Sequence, residues 1–219
     1  VMTLVDALPQ RDVLEMSDIR QWVGSVVDQY GEMAIWHAIR LNGFGGSEIG
    51  TLVRNLAGQR ADFTSAHDIV EGKLMRRAPL ETSGDMTRGH ENEDSHSVKF
   101  QRKYGAYRDL EAFEALKKSQ GSHSWMRYSP DDVVQMPMAP FVDDDGKMVI
   151  QPTPGENHRW LIDYKAPRSV DEGDEIAFQY ACQLSQGAIL CAENDIPISG
   201  MMLSQFDWAN WRLKDDVFG

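Results

Sequence analysis

The segment 159–167, with the sequence RWLIDYKAP, restricts the fold of this chain more than any other. Successive side chains alternate between the two faces of a β-strand. Ile162 and Tyr164 would therefore lie on one face of the sheet. Asp163 and Lys165 would lie on the other, next to further apolar residues. The segment predicts a central strand that presents a carboxylate and an ammonium on the same face.

A second acidic residue precedes this strand by about thirty positions, in Ser129-Pro130-Asp131. Together with Asp163-x-Lys165 it forms the pattern P-D…(D/E)-x-K. Carboxylate oxygens are good ligands for Mg²⁺, and a lysine beside them can position a water molecule or help to deprotonate it. The alternative interpretation is an ordinary surface ion pair, because Asp-x-Lys is short and common. Metal chemistry is the better interpretation only if further matching parts occur in order.

Length and composition favour one globular unit. A chain of 219 residues, 42% hydrophobic and 26% charged, is long enough for one sizeable core. We expect a lead-in over 1–15 and a single domain over 16–219. No apolar run approaches a membrane span and no signal peptide is visible, so we expect a soluble, intracellular protein without a membrane partner. Cys182 and Cys191 lie in one predicted helix, too far apart for a disulfide there.

The net charge of −12 argues against binding of nucleic acid by bulk electrostatic attraction. The basic residues are nevertheless concentrated, since ten of the 22 lysines and arginines lie between positions 73 and 118. Bound metal ions would also offset an acidic site locally. The alternative for most of these residues is a solvated helical surface of mixed charge.

The N-terminal half reads as helices. Helical spacing of apolar residues predicts helices over 17–30 and 33–41, and a glycine-rich turn over 43–46 then leads to Ser47, the predicted N-cap of a third helix. Free N–H groups at such a helix start suit an anion such as phosphate, although a simple capped turn is the alternative. A capping box begins a fourth helix, predicted over 65–77.

The next helix is predicted from Arg88 through Tyr104, and Glu93 falls on its apolar face. The alternative role for Glu93 is to complement the dipole near the helix start. Thereafter strand patterns dominate. A helix over 109–118 is followed by a strand over 123–128 and another over 132–136, then by a hairpin around the turn 143–146.

A long helix is predicted after the central strand, over 171–192, and a last strand over 199–206. The helix carries Gln179, Gln183 and Gln186 along one stripe. This stripe either faces water or reaches the acid-lysine site. The alternation of helices and strands predicts an α/β fold with a mixed central sheet flanked by helices.

Five motifs in order resemble those of the lambda-type exonucleases, also called YqaJ-like viral recombinases, within the PD-(D/E)xK nuclease superfamily. They extend over about 36–206 and are Arg40 seven residues before Ser47, Gly89-x-x-x-Glu93, Ser129-Pro130-Asp131, the segment Leu161 to Pro167, and the glutamine-bearing helix. The chain departs from the family pattern at Asp163, where Glu is frequent, and at Ala166, where Cys is frequent.

The resemblance implies a restriction-endonuclease-like core and assigns roles to individual residues. Glu93, Asp131, Asp163 and the carbonyl of Tyr164 would bind one or two Mg²⁺ or Mn²⁺ ions. Lys165 would orient and activate the attacking water, and Gln183, or Gln179 in its place, would support Lys165 or that water. The residues implied to grip a terminal 5′-phosphate are Arg40, Ser47 and Ser129.

The activity implied by the resemblance is metal-dependent 5′→3′ digestion of linear double-stranded DNA to 5′-mononucleotides. The remaining 3′ single strand would pass to a single-strand annealing protein of phage-type recombination in the host cytoplasm. Several enzymes of this family form rings around DNA, so a homo-oligomeric ring is one arrangement that the resemblance allows. The alternatives are another nuclease with the same core, RecB-like or CRISPR-associated, and a non-catalytic module that binds DNA ends.

Overall fold

The computed structural model describes residues 15–60, 64–77, 84–119, 121–167, 170, 176–207 and 210–218. Most of the predicted lead-in therefore lies outside the described residues. The helices in this part of the chain are α1 (Met16–Tyr30), α2 (Glu32–Arg40), α3 (Gly46–Leu56), α4 (Ala66–Lys73), α5 (Gly84–Tyr104), α6 (Leu110–Lys118) and α7 (Phe178–Glu193). The strands are β1 (Tyr107–Arg108), β2 (Asp132–Met136), β3 (Met138–Val142), β4 (Met148–Pro152), β5 (His158–Lys165), β6 (Gly200–Asp207) and β7 (Arg212–Phe218).

Five of these strands form a mixed sheet in the order β1-β2-β5-β6-β7. The central strand β5 is antiparallel to β2 and parallel to β6, and α7 lies on the connection between the two parallel strands. Strands β3 and β4 form a separate antiparallel pair. The predicted α/β architecture with a mixed central sheet is confirmed. None of the helices in the described ranges is long and apolar enough to cross a lipid bilayer.

Alternation along β5 divides the core into two layers. Leu161 packs with Leu184 and Leu190 of α7 on one face of the sheet. Ile162 packs with Phe100 of α5 on the other face. Because both layers are apolar, β5 is buried on both sides, as its sequence predicts. Asp163 and Lys165 share the face of Leu161, so they point toward α7.

The segment predicted as a strand over 123–128 is irregular, and that prediction was wrong. Its backbone groups bond to the glycine-rich turn instead of a ladder: Phe44 N–H donates to Trp125 C=O at 2.7 Å, and Arg127 N–H donates to Phe44 C=O at 3.1 Å. The amide of Gln186 on α7 donates to the carbonyls of Phe44 (2.9 Å) and Arg127 (2.6 Å). These bonds join the turn, the segment and α7 into one layer.

Several helix boundaries also differ from their predictions. Helix α3 begins at Gly46, and the carboxylate of Glu48 accepts the Gly45 N–H at 2.8 Å, so Ser47 lies in the first turn instead of at the N-cap. The capping box at Ser65 is confirmed, but α4 ends at Lys73 and not at position 77. Helix α7 starts at Phe178, and positions 171–175 lie outside the described residues.

Candidate active site

The acidic residue of β5 and its lysine form a close ion pair. Asp163 is fully buried, and its Oδ2 lies 2.6 Å from Nζ of Lys165, whose side chain is 21% exposed. Burial of two charges is costly unless each has a partner. The sequence thus places a carboxylate and an ammonium in one protected position at the C-terminal end of the central strand.

Asp131 joins this pair from the neighbouring strand. Asp132, the first residue of β2, is paired with Ile162 of β5, and this register brings Asp131 alongside the end of β5. The Oδ2 atom of Asp131 accepts the backbone N–H of Tyr164 at 2.8 Å and lies 3.6 Å from Nζ of Lys165. One ammonium thus lies between two carboxylates.

Gln183 of α7 lies next to this pair. Its side-chain amide donates to Oδ1 of Asp163 at 2.6 Å. Gln179, one turn earlier on α7, packs against α3 instead, since a methyl group added at Gly50 would lie 2.8 Å from the Cα atom of Gln179. Of the two glutamines that the sequence left open, Gln183 is thus observed in contact with Asp163.

Burial and neighbouring charges shift both members of the pair. Burial raises the pKa of Asp163 to about 7, the Lys165 ammonium lowers it, and the Asp131 carboxylate raises it. For Lys165, burial alone would lower the pKa, but Asp163 and Asp131 together raise it above its ordinary value. The lysine therefore keeps its proton at neutral pH. Its Nζ also donates to the carbonyl of Tyr164 at 3.3 Å.

On the opposite face of the sheet, a buried carboxylate of β2 helps to fix the position of β5. Asp132 is fully buried and accepts hydrogen bonds from Ser97 Oγ (2.9 Å), Arg108 Nε (2.7 Å) and the hydroxyl of Tyr164 (3.2 Å). The ring of His96 packs on the Tyr164 ring with centroids 4.5 Å apart. This network positions the residue whose N–H binds Asp131.

Glu93, the third predicted metal ligand, is half-buried on α5, one turn before Ser97. In the part of the chain that the structure describes, no group of three or more His, Cys, Asp and Glu side chains is arranged to hold a metal ion. The structure thus brings together Asp131 and Asp163 around Lys165 but does not by itself assemble the full predicted set.

The predicted phosphate-binding residues lie where α2 meets α3. Arg40 Nη2 donates to Ser47 Oγ at 3.3 Å, which confirms that these two side chains are adjacent. Ser129 is exposed, and its side chain makes no hydrogen bond within the described ranges. In the sequence it lies two residues before Asp131 and two residues after Arg127, whose backbone bonds to Phe44 of the glycine-rich turn.

Close packing of α3 on α7 connects this region to the ion pair. A methyl group added at Gly46 would lie 2.8 Å from Cγ of Gln183 and 3.1 Å from the ring of Tyr128. Ser47 therefore follows a residue that touches the side chain bonded to Asp163. The start of α3, which carries Ser47, is therefore packed against the side chain of Gln183.

Two residues of this region have no counterpart in the sequence prediction. Lys73, at the end of α4, lies 2.9 Å from Glu48 and reads in the sequence as an ordinary cation at a helix C-terminus. Tyr128 is buried, and within the described residues its hydroxyl makes no hydrogen bond. Burial first, and then the charges of Asp163 and Asp131, raise the pKa of that hydroxyl. Its position directly before Ser129-Pro130-Asp131 was the available signal.

No protein-family model matches the sequence, and a search among curated proteins finds no match.

Proposed function

We propose that this protein is a metal-dependent 5′→3′ exonuclease that acts on the ends of linear double-stranded DNA. The observation that carries the proposal is the cluster in which Lys165 lies between Asp163 (2.6 Å) and Asp131 (3.6 Å) while Gln183 donates to Oδ1 of Asp163. It contains two carboxylates, an ammonium and an amide at the end of a rigid central strand. Arg40 and Ser47 lie on the adjoining helices.

The residues present fit a divalent cation. Two carboxylates already share one positive charge. The raised pKa of Asp163 means that the protein by itself stabilises the negative charge of this carboxylate less well than water does. Asp131, Asp163 and the carbonyl of Tyr164 would hold the ion, with Glu93 as a further carboxylate. When bound, Mg²⁺ or Mn²⁺ supplies Lewis-acid stabilisation of the charge that develops on the scissile phosphate.

The side chains around that position have distinct tasks. Because the carboxylates keep Lys165 protonated, it serves as a donor that orients the attacking water and neutralises developing negative charge. Gln183 holds the Asp163 carboxylate in one orientation through its 2.6 Å hydrogen bond. Arg40 offers a planar fork to a phosphate, and Ser47 adds a hydroxyl. Binding of the strand end would thereby place the first phosphodiester near the cluster.

The test is digestion of linear duplex DNA labelled at either the 5′ or the 3′ end, in Mg²⁺ or in EDTA. We expect Mg²⁺-dependent release of 5′-mononucleotides that requires a free 5′ end, leaves 3′ single strands and is abolished in Lys165→Ala. Lys147→Ala is the matched control, because Lys147 is an exposed lysine in the turn between β3 and β4, outside the basic stretch 73–118. Its activity should equal that of the unmodified protein.

Other outcomes would change the proposal in defined ways. Binding of DNA ends without cleavage, in Mg²⁺ and in Mn²⁺, would refute the exonuclease and indicate a non-catalytic module. Cleavage within closed circular DNA, or from 3′ ends, would indicate a different nuclease built on the same cluster. A product with 3′ single strands is the substrate of an annealing protein, which is the partner that the proposal includes.

A further inference from the structure

A mixed-charge cluster lies beside Ser47 and involves a lysine that the proposed function does not use. One oxygen of Glu48, Oε1, lies 3.4 Å from Arg40 Nη2 and 2.9 Å from Lys73 Nζ. Lys73 Nζ also donates to the backbone carbonyl of Arg40 at 2.7 Å. The side chains of Lys73 and Glu48 are 15% and 16% exposed. Three elements, α2, α3 and α4, thus meet at one charged position.

The cluster carries an excess of positive charge. Within the described residues Glu48 is the one carboxylate paired with Arg40 or with Lys73, so two cations share one anion. Burial lowers the pKa of Lys73, Glu48 raises it, and Arg40 lowers it. A second negative charge would stabilise both cations. This local excess stands out in a chain whose net charge is −12.

Each of the two cations also lies over an aromatic ring. The guanidinium of Arg40 lies over the Trp36 ring at 4.6 Å, and Nζ of Lys73 lies over the Phe44 ring at 5.6 Å. Such contacts fix the position of a cation without neutralising it. In the bond between Arg40 and Ser47 the guanidinium is the donor, so the Ser47 hydroxyl proton remains available to an incoming acceptor.

We propose that Lys73 is a second cation of the phosphate-binding site and that Glu48 is an internal carboxylate which a 5′-terminal phosphate displaces from Arg40 and Lys73. The inference rests on the proposed function, since it concerns the same strand end. The ligand is a phosphate monoester at the end of a DNA strand. Its second negative charge distinguishes it from the phosphodiesters within that strand.

The two oxygens of Glu48 have separate partners, so a phosphate can displace the carboxylate from the cations without disrupting the helix cap. Oε1 contacts the two cations, whereas Oε2 accepts the Gly45 N–H at 2.8 Å and caps α3. Rotation of the carboxylate away from the cations can preserve the cap. The arrangement therefore holds both cations in place before the phosphate arrives and releases them to it.

The experiment measures binding of short duplexes that carry either a 5′-phosphate or a 5′-hydroxyl, by fluorescence anisotropy in EDTA with the full chain. The quantity of interest is the ratio of the two affinities. We expect the unmodified protein to favour the phosphorylated end and Lys73→Ala to lower the ratio about tenfold or more, the usual effect of losing a charge-assisted bond. Lys73→Arg, which keeps the charge, should restore most of the preference.

Glu48→Gln separates displacement from a structural role. Glutamine can still accept the Gly45 N–H but no longer competes for the cations, so the ratio should rise above that of the unmodified protein. A purely structural role for the ion cluster predicts that the ratio falls in both Glu48→Gln and Lys73→Ala. Lys147→Ala should leave the ratio unchanged.

Three results would overturn the inference: no preference for the phosphate in the unmodified protein, an unchanged ratio in Lys73→Ala, or a lowered ratio in Glu48→Gln. Cleavage is recorded separately, in Mg²⁺. A protein that binds phosphorylated ends through Lys73 but cuts no DNA would refute the exonuclease and support the inference, so the two failures are distinguishable.

Discussion

Replacement of Lys165 by methionine tests whether the ion pair on β5 is electrostatically coupled as the structure indicates. Methionine approximates the apolar stem of lysine and removes the charge, so packing against the core changes little. Asp163, which is fully buried, then retains the Gln183 amide but loses its cation. The negative charge of Asp131 remains nearby. The variant therefore isolates the electrostatic contribution of the ammonium.

The size of the effect follows from the pKa of Asp163, which burial raises to about 7 although Lys165 lowers it. Without Lys165 that pKa rises further. A carboxyl whose pKa is higher in the folded than in the unfolded protein binds its proton more tightly when folded, so stability falls as pH rises toward the folded-state pKa. Above pH 7 the difference in unfolding free energy between the unmodified protein and Lys165→Met should grow with pH, by at most about 1.4 kcal/mol per pH unit, until the pH passes the raised pKa of Asp163 in the variant.

The assay is urea unfolding followed by tryptophan fluorescence, in EDTA, at several pH values between about 6 and 9. The double variant Asp163→Asn, Lys165→Met is the control, because it lacks the buried acid at position 163. The difference in unfolding free energy between this variant and the unmodified protein should therefore not grow with pH in the same way. If the curves for the unmodified protein and Lys165→Met run parallel across this pH range, Asp163 and Lys165 are not coupled and the electrostatic reasoning is refuted.

Three further predictions concern the residues around this cluster. Burial lowers the pKa of His96 to about 4, so protonation of His96 opposes folding as pH falls from about 6.5 to about 4; over this range the unfolding free energy of the unmodified protein should fall by about 3 kcal/mol relative to that of His96→Gln. Asp132→Asn, which weakens three hydrogen bonds to a buried carboxylate, should lower the unfolding free energy by about 2 kcal/mol in urea titrations, and an unchanged midpoint would contradict the network. Gly187→Ala would bring a methyl group to 2.6 Å from the Tyr128 ring and should lower the unfolding free energy by about 1 to 3 kcal/mol, as measured by thermal unfolding. Its control is Gly24→Ala, whose added methyl group would have no atom within 4 Å and should not destabilise the protein.

The central strand shows how far local pattern determines structure here. Apolar residues on both faces of segment 159–167 predicted a strand at the centre of a sheet, and β5 occupies that place between β2 and β6. The side-chain period of two also placed Asp163 and Lys165 on one face. These features depend on residues close in sequence, so periodicity was sufficient. Which helix would cover that face was not a local property, so the sequence left open whether the glutamine stripe faces water or reaches the acid-lysine site.

The failed prediction over 123–128 has the opposite cause. Its alternation is that of a strand, but the backbone groups of Trp125 and Arg127 bond to Phe44 and Gln186, which are distant in sequence. Strand β7 was not predicted because its charged residues interrupt the apolar pattern. In the fold they have partners, as Lys103 contacts Asp215 at 2.6 Å. Tertiary contacts of this kind override local propensity.

The glycine-rich turn illustrates how one motif can have two physical explanations. In the sequence, Gly45 and Gly46 indicated a flexible turn that exposes N–H groups to a phosphate. In the structure, Gly45 N–H is already bonded to Glu48, and Gly46 has no room for a side chain because Gln183 and Tyr128 press against it. The small residue therefore allows α3 to approach α7 closely. That approach sets the distance between Ser47 and the Asp163–Gln183 pair, so a glycine required by packing also determines how far a bound strand end would lie from the carboxylates.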